Sequence, residues 1–207
     1  MTAASRERAA LVSTMRDVGP DAPTLCGEWT VRDLAAHLVL RERRPDAAAG
    51  IMIRAFAGYT ARKQHELADR TQWPALLDMV ASGPPLYSPF KLLDPLVNTT
   101  EMFIHHEDVR RAAAGWQPRE LDDDLESALR KQVRLAARLS LGRAQAAVTL
   151  QDADGAMLAV IGKGRPCSIT GPAPELLLFL SGRDAVRIEF GGDDDTVEQV
   201  RTARRAL

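Results

Sequence analysis

The sequence predicts a mainly α fold, a helical bundle over residues 1–142 followed by a small α/β domain over 143–207, and three observations predict it. Apolar residues recur at i, i+3 and i+4 through the first part. After Arg143 that period gives way to short β-prone runs divided by glycine turns. A chain of 207 residues with 45% hydrophobic content is long enough to bury a core in both parts.

The first helix is predicted over residues 5–18, where Ala9, Leu11, Val12 and Met15 share a face and Gly19-Pro20 ends the pattern. Thr30 stands as N-cap of the second, whose Val31, Leu34, Ala35 and Leu38 make a buried stripe and which Pro45 should stop. Residues 47–70 read as one long helix, with Ile51, Ile53, Ala55 and Phe56 near its start, and 73–80 as a further turn or two. Four prolines and a glycine between 82 and 95 predict a crossover loop. A helix over 94–114 follows, with Leu93, Val97 and Ile104 on its apolar face and Gly115 at its end. The bundle closes with a helix over 121–141, ended by Gly142. The second domain reads as strands at 147–150, 157–161 and 167–170, a helix at 174–181, a strand at 185–190 and a helix from Thr196.

Composition narrows the function. With 27 basic and 28 acidic residues the net charge is −1, which argues against a nucleic-acid module and for a small-molecule partner. Only four basic residues are Lys, a bias that fits GC-rich coding. Cys26 and Cys167 lack partners at zinc-finger spacing, so neither a disulfide framework nor a Cys-based metal site is indicated and both thiols are expected reduced. No apolar run is long enough to cross a membrane and the N-terminus lacks a signal segment, so the expected location is cytoplasmic. The sequence assigns no oligomeric state.

The four histidines can be taken singly. On a helical wheel with Val97 at zero, Glu101 falls at about 40° and His105 at about 80°, both bordering the apolar stripe, while His106 falls at about 180° and faces away. A carboxylate and an imidazole at i and i+4 can grip one metal ion, or form an ordinary ion pair. His37, about 60° from Leu34 on the second helix, would complete a His2Glu set of the kind bundles build from facing helices, with a fourth position open to water or substrate. Its other reading is a hydrogen-bonded histidine at the core edge. Asp108, about 20° on the wheel, would orient the His105 imidazole or pair with Arg110 or Arg111. Asp33 reads as structural, and His65 as solvated. Cys26 precedes a helix N-terminus and reads either as a nucleophile, for which spacing assigns no catalytic partner, or as a small buried residue. Gly162-Lys163-Gly164 lacks the context of a phosphate loop and reads as a hairpin turn.

Two segments carry a resemblance. The run from Leu25 to Leu38, containing Trp29-Thr30-Val31-Arg32-Asp33-Leu34-Ala35-Ala36-His37-Leu38, and the helix with Glu101, His105 and Asp108 resemble the mycothiol-dependent maleylpyruvate isomerase family of DinB-like bundles. The ending around Gly171-Pro172-Ala173-Pro174 through Gly182-Arg183 is similar to that family's small C-terminal domain. The resemblance implies a DinB-like four-helix bundle with a fifth helix leading to the second domain. It places His37, Glu101 and His105 at the metal-ligand positions, with zinc the usual ion. It also implies mycothiol, a small thiol that replaces glutathione in some bacteria, as cosubstrate; the Arg bias fits such a source. Arg183 is then a candidate for binding an anionic group of the substrate, or for capping the helix before it.

The expected function is thus a zinc-binding thiol transferase or isomerase in which a metal-bound thiolate attacks a small electrophile. One alternative is a metal-dependent hydrolase, against which stands the lack of a His-Glu-x-x-His helix with its built-in base. The other is a non-catalytic metal-binding or stress-response module, with Cys26 as a conceivable fourth ligand closing the site.

Overall fold

The computed structural model describes residues 2–86, 88 and 95–204, and the chain in it divides into two compact units, 1–116 and 117–207. The first unit contains helices α1 (Ala3–Val18), α2 (Val31–Arg43), α3 (Pro45–Met52), α4 (Ala57–Arg70), α5 (Trp73–Ser82) and α6 (Pro95–Arg110). Helix α1 packs on α5 and α6, and α2 on α3, α4 and α5. Leu11, Met15, Leu34, Leu38, Leu76 and Met102 are fully buried in the shared core.

Local chemistry sets the ends of these helices. Thr30 caps α2 as expected: its hydroxyl accepts from the Asp33 backbone N–H, and the Asp33 carboxylate accepts from the Thr30 N–H at 3.0 Å. That reciprocal pair confirms the structural reading of Asp33. Proline 45 does not simply stop α2; it opens α3, where its missing N–H costs nothing. The single helix expected over 47–70 is broken by a short 3-10 turn, Arg54–Phe56. The chain folds back there and α3 packs against α4, with Gly50 so close to Thr60 and the Phe56 carbonyl that a side chain would have no room. Residues 73–82 make a full helix, longer than expected. Half of the crossover predicted over 82–95, residues 87 and 89–94, lies outside the described residues, and Leu93 of the predicted apolar face is among them.

The second unit holds α7 (Asp123–Leu141), β1 (Ala146–Gln151), β2 (Met157–Ile161), β3 (Arg165–Thr170), α8 (Ala173–Leu180), β4 (Glu189–Gly192) and α9 (Asp194–Ala203). The division therefore falls at 116/117 rather than at 142/143. The reason is packing: α7 lays its buried face, Leu125, Leu129, Val133 and Ala137, toward the small domain and contacts α8 and β2.

The sheet runs β2-β1-β3-β4, with β1 antiparallel to β2, parallel to β3, and β3 antiparallel to β4. Residues 162–164 therefore do not form a hairpin turn. They carry the chain past the end of β1, and Gly162 (φ +78°) approaches the Ala146 carbonyl so closely that only glycine fits. The last strand begins later than the expected 185, at Glu189. Among the described residues no helix is long and apolar enough to cross a membrane.

Candidate metal centre

Helix α6 carries most of the polar groups at the site and is buried on several sides, with Met102, Phe103 and Val109 beside His105, His106, Glu107 and Asp108. Burial of so many polar groups requires that each be paired. Glu107, fully buried, takes Arg110 at 3.0 Å and Arg111 at 2.6 Å. His106 does not face away as the wheel suggests. It is buried against α1, with Nδ1 2.8 Å from Glu7 Oε1 and Nε2 2.9 Å from Thr14 Oγ1. A single-stripe wheel fails for a helix covered on more than one face.

His105 lies between two carboxylates of its own helix. Its Nε2 is 3.3 Å from Glu101 Oε1 and its Nδ1 is 3.0 Å from Asp108 Oδ2. Asp108 thus stands within hydrogen-bonding distance of the His105 ring, and Arg110 and Arg111 both reach Glu107. Its Oδ2 accepts as well from the Cys26 thiol at 3.0 Å, and Cys26 Sγ is 4.0 Å from His105 Nδ1.

His37 comes from α2, where the Thr30 capping box fixes the start of the helix and Leu34 and Leu38 anchor its buried face. It is 7% exposed, its ring centroid 5.5 Å from that of His105 and 5.1 Å from that of Trp29. The donor atoms of His37, Glu101 and His105 all lie within 4.8 Å of one another. Cys26, His105 and Asp108 form a second such group, on the other side of the same imidazole.

The loop bearing Cys26 is built rather than loose. Gly27 turns at φ +66°, the Thr24 hydroxyl donates to the Trp29 carbonyl at 2.8 Å, and the Leu25 N–H donates to the Asp108 backbone carbonyl at 3.0 Å.

The electrostatics follow from burial and neighbours. Burial, with the adjacent His105, lowers the His37 pKa to about 4 against the pull of Glu101 and Gln64. His37 is therefore neutral near pH 7, with a nitrogen lone pair available to a cation. For Glu101 burial acts upward, but hydrogen bonding to His105 and the charges of His105 and Arg41 hold the carboxyl at about 2. For His105 burial acts downward, and hydrogen bonds with Asp108, Cys26 and Glu101 outweigh it, keeping the ring protonated well above its ordinary range. A proton on Nε2 facing Glu101 does for that carboxylate what a cation would do.

No protein-family model and no curated protein matches the sequence. The fold has a solved counterpart. A crystal structure of the mycothiol-dependent maleylpyruvate isomerase aligns with TM-score 0.60 over 92% of this chain and 91% of that one, at 14% identity. At that identity the likeness shows the fold alone, which is mainly α: a helical bundle with a small C-terminal α/β domain built on a four-stranded sheet.

The remaining candidates stand as follows. Arg183 belongs to the second unit, where its guanidinium donates to the Ser181 carbonyl and its N–H to the Leu178 carbonyl at the end of α8. His65 is exposed and 3.3 Å from Asp69, as expected for a solvated residue. Three neighbours of the centre are added by the structure, of which only Trp29 stands in a sequence motif, the Trp29–Leu38 run. Arg41 Nε is 3.5 Å from Glu101 Oε1, Gln64 of α4 hydrogen-bonds His37, and the Trp29 ring stands beside His37. Arg41 had a signal, four residues after His37 on one helix; Gln64, on a separate helix, had none.

Proposed function

We propose that the protein is a divalent-metal-dependent thiol transferase or isomerase, with His37, Glu101 and His105 as ligands of the ion, zinc as the ion and mycothiol as the thiol. The observation that carries the reading is the convergence of three donors from α2 and α6 within 4.8 Å, on the fold of a mycothiol-dependent isomerase. Two imidazoles and a carboxylate suit zinc, and three ligands leave a position for an exchangeable partner.

The residues have separable tasks. His37 presents a neutral imidazole because burial keeps it unprotonated. Glu101 supplies the negative charge, held ionised by its cationic neighbours. Asp108 fixes the His105 ring by accepting from Nδ1, which leaves Nε2 toward Glu101 and His37. When bound, the ion would lower the pKa of a thiol and hold it as thiolate for attack on a small electrophilic carbon. Trp29 and the α2 core beside His37 keep water from one side of the site. Cys26 groups with His105 and Asp108 rather than with His37, which favours an open site over a closed four-ligand one.

The test is a metal assay joined to a thiol-conjugation screen. One equivalent of divalent metal should copurify, His105→Ala should lose it, His37→Ala should lose the thiol-dependent activity, and electrophiles should be consumed with mycothiol in preference to glutathione. Hydrolysis of an ester or amide with no thiol present would instead establish the hydrolase.

A further inference from the structure

The group on the far side of His105 has the composition of a cation site in its own right. Cys26 Sγ, His105 Nδ1 and Asp108 Oδ2 stand at the corners of a small triangle with edges of 3.0, 3.0 and 4.0 Å. A tetrahedral zinc with bonds of about 2.3 Å to sulfur, about 2.05 Å to nitrogen and about 2.1 Å to oxygen needs edges of roughly 3.4–3.6 Å. The observed edges straddle that range and differ from it by roughly 0.6 Å or less, a rotamer-scale adjustment. The loop holding Cys26 is pinned to α6 through the Leu25–Asp108 backbone hydrogen bond, so the triangle is held by the fold.

We propose that Cys26, His105 and Asp108 form a second seat for a thiophilic cation, and that it competes with the His37–Glu101–His105 seat for the same imidazole. Sulfur selects ions such as Zn2+, Co2+, Cd2+ or Cu+ over Mg2+ and Ca2+. The competition follows from the two ring nitrogens. A neutral imidazole offers one lone pair and one N–H. The first seat uses the lone pair on Nε2 and leaves the N–H on Nδ1 for Asp108. The second uses Nδ1 and leaves the N–H on Nε2 for Glu101. An ion entering the second seat displaces the thiol proton of Cys26 and, where His105 is imidazolium, one ring proton; both go to solvent. No electron moves. An ion parked there takes His105 away from the first seat and so blocks it.

The competition rests on the metal seat of the proposed function, and the test keeps the two seats separable. Cobalt(II) is titrated into the full chain without added thiol, comparing wild type, Cys26→Ser and His37→Ala. The readouts are the near-UV thiolate-to-cobalt charge-transfer band, the visible cobalt bands, proton release and, for folding, circular dichroism. His37→Ala, with the first seat crippled, should show the thiolate band at full strength. Wild type should show it at lower intensity, with one cobalt bound in total. Cys26→Ser should lose the band and still bind one cobalt; Cys26→Ala gives the same comparison if Ser disturbs the loop. A folded His37→Ala protein with no thiolate band at cobalt excess overturns the second seat. A band that survives in Cys26→Ser does so too, and two cobalt ions bound at once overturn the competition. Failure of folded Cys26 variants to bind any cobalt would remove the first seat and overturn the competition, leaving the thiolate band in His37→Ala to decide the second seat.

Discussion

His37 and His105 lie 5.5 Å apart, centroid to centroid, yet their environments push their pKa values in opposite directions. His37 is lowered to about 4 by burial, so the native state loses stability from it as pH falls from 6.5 toward 4, where the unfolded chain takes the proton first. His105 is raised, so its contribution is fully present below 6.5 and is lost as pH rises through its folded pKa. A metal ion at the first seat replaces the His105 proton and none from His37. Its affinity should therefore tighten about tenfold per pH unit while His105 remains protonated, with one proton released per ion, measured by calorimetry in buffers of different ionisation enthalpy. Asp108→Asn should weaken metal binding about 10–100-fold, because the ring loses the carboxylate that sets its tautomer. How much of the site was legible differs residue by residue. Glu101, His105 and Asp108 share one helix, so a wheel finds them. His37 could be placed on the correct edge of α2 but not opposite a particular partner. The Cys26–Asp108 contact joins a loop to a distant helix and leaves no periodic trace.

Helix α2 shows what a strong local signal achieves. Thr30 and Asp33 cap it within three residues, and its predicted start agrees with the structure. Thr30→Ala should cost about 1 kcal/mol in chemical denaturation and loosen metal binding, since the cap sets the helix two turns before His37. Helix α6 shows the opposite. Its buried His106, Glu107 and Asp108 are spread around the axis and find partners on α1, α6 and the Cys26 loop, so hydrophobic periodicity alone misplaced His106. The 47–70 segment was misread for a related reason. Both α3 and α4 have helical composition, and the break between them is imposed by the fold-back that buries Ala47 and Thr60 rather than by a proline or a turn signal.

At the scale of the whole chain, the first unit contains the candidate centre and Trp29, Trp73 and Trp116, which are all three of the tryptophans. Tryptophan emission is therefore a selective report on the unit that holds His37, Glu101 and His105. Zinc at a hundredfold excess over its dissociation constant should raise the fluorescence-detected unfolding free energy by about 2.7 kcal/mol, and His105→Ala, which removes the imidazole common to both seats, should abolish that gain. An equal shift in the His105→Ala protein would place the zinc elsewhere. The ligands of the first seat also come from helices that are far apart in the chain, α2 and α6, with three further helices between them. Such a seat exists only once the long-range docking of those helices is complete, late on the folding route. An ion that recognises it should slow unfolding and leave the refolding rate unchanged, so the metal would act as a latch on the finished fold rather than as a template for it. Stopped-flow traces with and without zinc distinguish the two, since a faster refolding limb would mean that α2 and α6 meet before the barrier is crossed.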